Sequence, residues 1–152
     1  MLAHKASREG IVAAEAICGL PTVADYRVVP AVIFTDPEIA SVGMTEDQAR
    51  AAGYEPVVGK FPFTANGRAL SLEEAEGFAK IVADKKTDLI LGVHIVGPEA
   101  TELIAEGTLA IEMVAGVEDI AATIQAHLTL PEALMGAAEA VHGLAIHAIT
   151  LK

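Results

Sequence analysis

The sequence predicts an α+β fold, an antiparallel β-sheet with helices packed on it, and three observations carry that expectation. Runs of β-branched residues follow one another through the middle of the chain while helical patterns gather towards its ends. Phe78–Ala83 and Leu89–Val96 are joined by only Asp84–Asp88, a connection with hairpin composition, so those two strands are antiparallel. No two of the 13 glycines are separated by a single residue, so no G-x-G-x-x-G loop exists to cradle a dinucleotide pyrophosphate.

Taken in order, residues 1–19 read as a helix: Ala3, Ala6, Ile11, Ala14 and Ile17 form its stripe, and Gly19 before Leu20-Pro21 ends it. This helix opens at Met1 with no N-cap, which leads us to expect a piece of a longer protein. Val28–Thr35 is a strand broken by Pro30, hence an edge. Asp36-Pro37 turns the chain into a second strand, Ile39–Met44. Thr45-Glu46-Asp47-Gln48 is a capping-box pattern for a short helix that Gly53 stops. Pro56–Phe63 reads as a strand and Thr64–Gly77 as a polar connection. Gly97-Pro98 opens a helix with Leu103, Ile104, Gly107, Ile111 and Val114 on one face, Glu102 and Glu106 opposite, and Gly116 at its close. A short helix near Val117–Ala122 and a longer one from Leu130 to about His142 complete the order. The two long helices after the sheet carry more apolar surface than one sheet face covers, which predicts a two-fold homodimer.

With 152 residues, 53% of them hydrophobic, the chain is long enough for one well-buried domain. Its net charge of −11 argues against nucleic acid and against anionic membranes, both of which need clustered cations. That acidity reads as a well-solvated surface rather than as a halophile's. No run of ~18 apolar residues is present to span a bilayer. Cys18 is the only cysteine, which excludes an intrachain disulfide and a Cys-rich metal site and fits a reducing, cytoplasmic location.

Five histidines are candidates for chemistry: His4, His94, His127, His142 and His147. His142 and His147 lie about 140° apart around a helix, too far to chelate as a pair, and no metal site is expected. His94 alternates within an apolar strand and reads as a hydrogen-bonded sheet residue. Cys18 reads as packing. The informative stretch is His127-Leu128-Thr129-Leu130-Pro131-Glu132. It has two readings. Thr129 and Glu132 form a T-x-x-E capping box with His127 a bystander. Alternatively, Glu132, anchored in a first helical turn, reaches back to one nitrogen of His127 and leaves the other for proton transfer.

A resemblance favours the second reading. His127 to Glu132, followed by Ala133-Leu134-Met135 and Ala137-Ala138-Glu139-Ala140, resembles the H-P-T-L-x-E-A-x-x-x-A-A-E-A end of dihydrolipoyl dehydrogenases, FAD-dependent pyridine nucleotide–disulfide oxidoreductases. Phe34-Thr35-Asp36-Pro37-Glu38-Ile39-Ala40-Ser41-Val42-Gly43 resembles their F-T-x-P-E-I-A-x-V-G segment. Gly92–Pro98 with Glu102-Leu103-Ile104 resembles a third motif, and Met1–Ala6 resembles the helix that leaves the FAD domain. The resemblance runs through essentially the whole chain. It implies residues 1–20 as a remnant helix of an upstream FAD domain and 21–152 as the dimerisation domain. It implies His127 and Glu132 as a catalytic pair delivered to the partner subunit, and Met1, Leu2 and Ala3 as a remnant near FAD. FAD, NAD, a second copy of the chain and the dihydrolipoyl group of a 2-oxo acid dehydrogenase complex are implied for the full-length parent. This chain alone is expected to hold no cofactor and to be inactive.

Two positions depart from the pattern: Leu128 stands where the family has a proline able to take a cis bond, and Pro131 enters the first helical turn. A non-proline cis bond costs roughly 2.5–4 kcal/mol, so a trans or a strained Leu128 is expected. Two other readings stand beside the main one: a free-standing dimeric interaction module without catalysis, and the same domain from another disulfide oxidoreductase.

Overall fold

The computed structural model describes residues 2–148. The first helix, α1 (Ala3–Ile17), ends as expected, with Gly19 in the left-handed region at φ +77°. None of its residues is buried. Side chains of the following segment tether it instead: the Tyr26 hydroxyl donates to the Glu9 carboxylate, which also accepts from Lys5 within the helix, and Thr22 donates to Glu15 at 2.7 Å.

Five strands build one sheet: β1 (Ala31–Ile33), β2 (Glu38–Gly43), β3 (Pro56–Pro62), β4 (Phe78–Asp84) and β5 (Ile90–Gly97). Their order is β1-β2-β5-β4-β3. Every pairing is antiparallel, as the sequence predicts. The edge strand β1 is shorter than the expected Val28–Thr35. The amides of Arg27 and Val28 donate to Glu112 at 2.8 and 3.0 Å, and Pro30 has no N–H to offer a ladder. The β4–β5 turn is tied by Asp84, whose carboxylate accepts from Glu55 N, Thr87 N and Thr87 Oγ1.

Register divides the sheet into two chemically distinct faces. Val42, Val93, Ile81 and Gly59 lie side by side across four strands, as do Ala40, Ile95, Ala79 and Phe61. On this apolar face pack α4 (Ala100–Glu112), against β2 and β5, and α6 (Glu132–Val141), against β3 and β4. The opposite face carries Ser41, His94, Lys80 and Lys60 in one cross-strand row. It is covered at one end by α2 (Glu46–Ala51), whose Ala49 packs with Val82 and Leu91. The predicted capping box of α2 is present, with Thr45 Oγ1 accepting from Gln48 N and Gln48 Oε1 from Thr45 N.

Two missing side chains let α6 approach the sheet closely. A Cβ on Gly59 would lie 2.0 Å from the Ala137 carbonyl, and one on Gly136 would lie 2.3 Å from the Phe61 ring. Ala133, Leu134, Gly136, Ala137, Ala138 and Ala140 are all buried, so α6 is consumed by the core of its own chain. This corrects the expectation that α6 offers a broad apolar surface to a second copy. Exposed apolar residues occur elsewhere, among them Ile33 and Phe34 at the β1 edge and Leu109 and Met113 on and after α4.

Three further expectations are corrected. The supposed polar connection 64–77 contains a 3-10 turn, Phe63–Ala65, and a short helix, α3 (Gly67–Ser71), capped by Asn66. Val114 does not continue the α4 stripe; it sits beyond the helix at φ +59° and is exposed. Glu106 is not on an open polar face but half-buried, accepting from Gln125 Nε2 at 3.0 Å, and burial raises its pKa above the ordinary carboxylate value. The short α5 (Val117–Ala121) forms where the sequence predicts a helix, and it lies against α6. Among the described residues no helix is long and apolar enough to cross a membrane.

Candidate functional site

The site grows from the N-terminal end of α6. Leu134, Ala137 and Ala138 fix that helix on the sheet, so Glu132 in its first turn projects from a rigid base. Its carboxylate is largely covered, with a side-chain exposure of 18%, while His127 is 80% exposed. Glu132 Oε1 meets His127 Nδ1 at 2.7 Å, and Glu132 Oε2 accepts from Thr129 N at 3.2 Å. One carboxylate thus fixes both the ring and the backbone that carries it. The ring's Nε2 has no hydrogen-bond partner among the described residues.

This arrangement keeps half of the predicted capping box and discards the other half. Glu132 does accept from the Thr129 amide, but Thr129 Oγ1 donates to the Ala126 carbonyl at 2.7 Å instead of accepting a helical N–H. The helix begins at Glu132, with Pro131 as the residue before it, so Thr129 is not its cap. Pro131 fits because the first turn has no intrahelical partner for its missing amide hydrogen. The His127–Leu128 peptide bond is cis, the form the family's proline can adopt, although a leucine occupies the position.

Sequence reasoning missed the floor of the site. Asn66, with only 2% of its surface exposed, donates from Nδ2 to the Thr129 carbonyl at 3.0 Å and accepts the Ala69 amide on Oδ1 at 2.9 Å. Beside it, a Cβ on Gly67 would lie 2.6 Å from Leu128 Cδ1, so the leucine side chain rests on the start of α3. A cleft of about 220 Å³ opens here, lined among others by Asn66, His127, Leu128, Glu132, Met135 and His147. The Asn66-Gly67 pair was the available signal: an asparagine ahead of Arg-Ala-Leu is a helix cap as readily as a turn.

The remaining histidines do other work. His94 Nε2 donates to the Met44 carbonyl at 3.1 Å, and burial pushes its pKa below the ordinary histidine value, a nearby Lys80 adding to the effect. His142, just past α6, meets Asp88 at 2.8 Å and Glu118 at 3.7 Å, pinning the β4–β5 turn to α5 and α6. No group of three metal-binding side chains occurs among the described residues. Cys18 is exposed, not packed as expected. Leu2 and Ala3 line a shallow apolar cleft with Arg8, Tyr26 and Pro30, and Met1 lies outside the described residues.

Comparison with known proteins places this geometry. Residues 29–138 match the family model described as the pyridine nucleotide-disulphide oxidoreductase dimerisation domain. The chain is 58% identical over 149 residues to a dihydrolipoyl dehydrogenase of Halobacterium salinarum, covering 98% of this chain and 31% of that protein. It is equally similar, at 58% over 147 residues, to a dihydrolipoyl dehydrogenase of Thermus scotoductus, covering 97% of this chain and 32% of that one. Among solved structures, LpdA from Mycobacterium tuberculosis superposes with a TM-score of 0.82 at 30% identity, over 91% of this chain and 30% of that one. The chain therefore spans about a third of the length of the curated relatives it matches. With the five-stranded antiparallel sheet, the helices on its apolar face and the matched residues 29–138, this chain belongs to the dimerisation-domain family of pyridine nucleotide-disulphide oxidoreductases.

Proposed function

We propose that this chain is the C-terminal dimerisation domain of a flavin-dependent dihydrolipoyl dehydrogenase. On this reading it pairs with a second copy and supplies His127 and Glu132 as a proton-handling pair to the partner subunit's disulfide site. The observation that carries the reading is the 2.7 Å contact between His127 Nδ1 and Glu132 Oε1, with the other ring nitrogen left open. The high identity to dihydrolipoyl dehydrogenases supports it.

The chemistry follows from the pair. With Nδ1–H donating to Glu132, the neutral ring carries its lone pair on Nε2. A dihydrolipoyl thiol brought to Nε2 gives up its S–H proton there and becomes a thiolate, the form that attacks a disulfide. Glu132 stabilises the imidazolium so formed, and the same nitrogen later returns the proton. The exposure of His127 suits a group that works on something outside its own subunit.

On this reading flavin and nicotinamide are held by parts of the longer protein outside this chain, whose sequence has no G-x-G-x-x-G phosphate cradle. On the proposed reading, residues 1–20 leave an upstream FAD domain, residues 21–152 form the interface, and Met1, Leu2 and Ala3 lie beside the flavin domain without holding the cofactor. The dihydrolipoyl substrate arrives on a 2-oxo acid dehydrogenase complex. A cytoplasmic location belongs to the same reading.

The test is made on the longer protein. His127→Gln is expected to lower turnover by about 10²–10⁴-fold, the usual contribution of a positioned acid or base. An unchanged rate would remove the pair from the mechanism. Sedimentation of the chain is expected to show a dimer burying about 1,500 Å² or more, and a monomer at micromolar concentration would contradict the interface.

A further inference from the structure

We propose that Asn66 is a positioning residue for the His127–Glu132 pair, holding the loop between them through the Thr129 carbonyl. The inference rests on reading His127 and Glu132 as the working pair. Asn66 and Asp84 are the two buried polar side chains among the described residues, and Asp84 is consumed by the β4–β5 turn. Asn66 sits 63 positions before its partner Thr129 in sequence, so the contact is made by the tertiary fold alone.

The side chain does two separable things. Its Oδ1 caps α3 by accepting the Ala69 amide, and its Nδ2 donates to the Thr129 carbonyl. Capping alone does not call for asparagine, because serine, threonine and aspartate serve as well. An amide side chain adds to the capping oxygen a separate nitrogen with N–H donors, which serine, threonine and aspartate lack. The donor is therefore the informative half, and it is spent on the loop that carries His127.

From there the chain of contacts is continuous. Thr129 is gripped at both ends of its own backbone: its carbonyl accepts from Asn66 at 3.0 Å, and its amide donates to Glu132 at 3.2 Å. The other oxygen of Glu132 holds the His127 ring at 2.7 Å. Leu128, between Thr129 and the histidine, rests against Gly67, the residue after Asn66. Without the Asn66 donor, the Thr129 backbone keeps only its hydrogen bond to the carboxylate that must also orient the ring, with the Thr129 hydroxyl still tied to Ala126.

The experiment reads the tautomer of His127 from the ¹⁵N shifts of its ring nitrogens, above the pH at which the ring is neutral. In the unmodified chain Nδ1–H is expected to dominate. Glu132→Ala is expected to return the ring to Nε2–H, the form a free histidine side chain prefers. Asn66→Ser and Asn66→Asp keep an oxygen to cap α3 but lack the amide donor, and both are expected to move the ring in the same direction as Glu132→Ala. If both keep Nδ1–H while Glu132→Ala loses it, Asn66 is a helix cap and nothing more. If Glu132→Ala itself leaves Nδ1–H in place, the pair reading fails, and the role of Asn66 falls with it. Should neither Asn66 variant fold, the unmodified chain decides through the NMR coupling across the hydrogen bond from Asn66 Nδ2 to the Thr129 carbonyl carbon. Its presence supports the inference and its absence overturns it.

Discussion

Helices α1 and α6 carry comparable apolar residues and meet opposite fates. The fifteen residues of α1 bury nothing, whereas six of the ten residues of α6 are buried. The difference lies in what each helix rests on. Helix α6 approaches the sheet closely at Gly59 and at its own Gly136, while α1 is joined to the segment after it by the hydrogen bonds of Glu9 with Tyr26 and of Glu15 with Thr22. An apolar stripe on a helix states that a face must be covered but not by what. In α6 the cover is intramolecular, and that rigidity is what makes Glu132 useful as an anchor.

The largest expected contrast comes from truncating one apolar residue in each helix. Leu134→Ala removes a side chain that is 2% exposed and is expected to destabilise the fold by about 2–5 kcal/mol. Ile17→Ala, at 86% exposure, is expected to change stability by no more than about 0.5 kcal/mol. Denaturant unfolding of the two variants measures both, and equal losses would dissolve the comparison.

Glycine-to-alanine changes sharpen it by reversing sign. At Gly10 in α1 a methyl meets nothing within 4 Å, so Ala is expected to stabilise by up to about 1 kcal/mol through helix propensity. At Gly136 in α6 the same methyl meets the Phe61 ring, and a loss of about 1–3 kcal/mol from overpacking is expected. Thermal unfolding of the pair reads both signs.

The smallest effect is acid-dependent and confined to α1. The Glu9 carboxyl is held below the ordinary carboxylate range, first by its hydrogen bond from Lys5 and then by that from Tyr26. A depressed acid contributes its stabilisation above its ordinary pKa and loses it as pH falls through the lowered one. Helical ¹³Cα shifts of α1 are therefore expected to weaken below about pH 4 while those of α6 persist. Parallel loss in the two helices would show that α1 is held by something other than the Glu9 contacts.

The same contrast explains what could be read from sequence. The sheet and its antiparallel order were legible because alternation, the Asp84–Asp88 turn and the Thr45–Gln48 cap are local signals. His127 and Glu132 were legible because they lie five residues apart and share a motif. The capping reading of Thr129 fails because its hydroxyl has a competing partner, the Ala126 carbonyl, which no spacing rule weighs. Helix α3 was hidden by its five-residue length and by an Asn-Gly start that also reads as a turn. Asn66 escaped as a site residue because the target of its amide, Thr129, lies far along the chain. The exposed apolar residues Ile33, Phe34, Leu109 and Met113 likewise depend on which faces the sheet leaves uncovered.

That distant target has a kinetic consequence. Contacts between residues far apart in sequence form only after the intervening chain has been ordered, and they slow folding accordingly. Residues 67–128 must thread through β4, β5, α4 and α5 before Asn66 reaches Thr129. A chain that has made only its local helices already has Glu132 within five residues of His127 but lacks the floor beneath the loop. The His127–Glu132 geometry therefore matures late, together with the sheet, so an incompletely folded chain carries both residues without the hold on Thr129 between them.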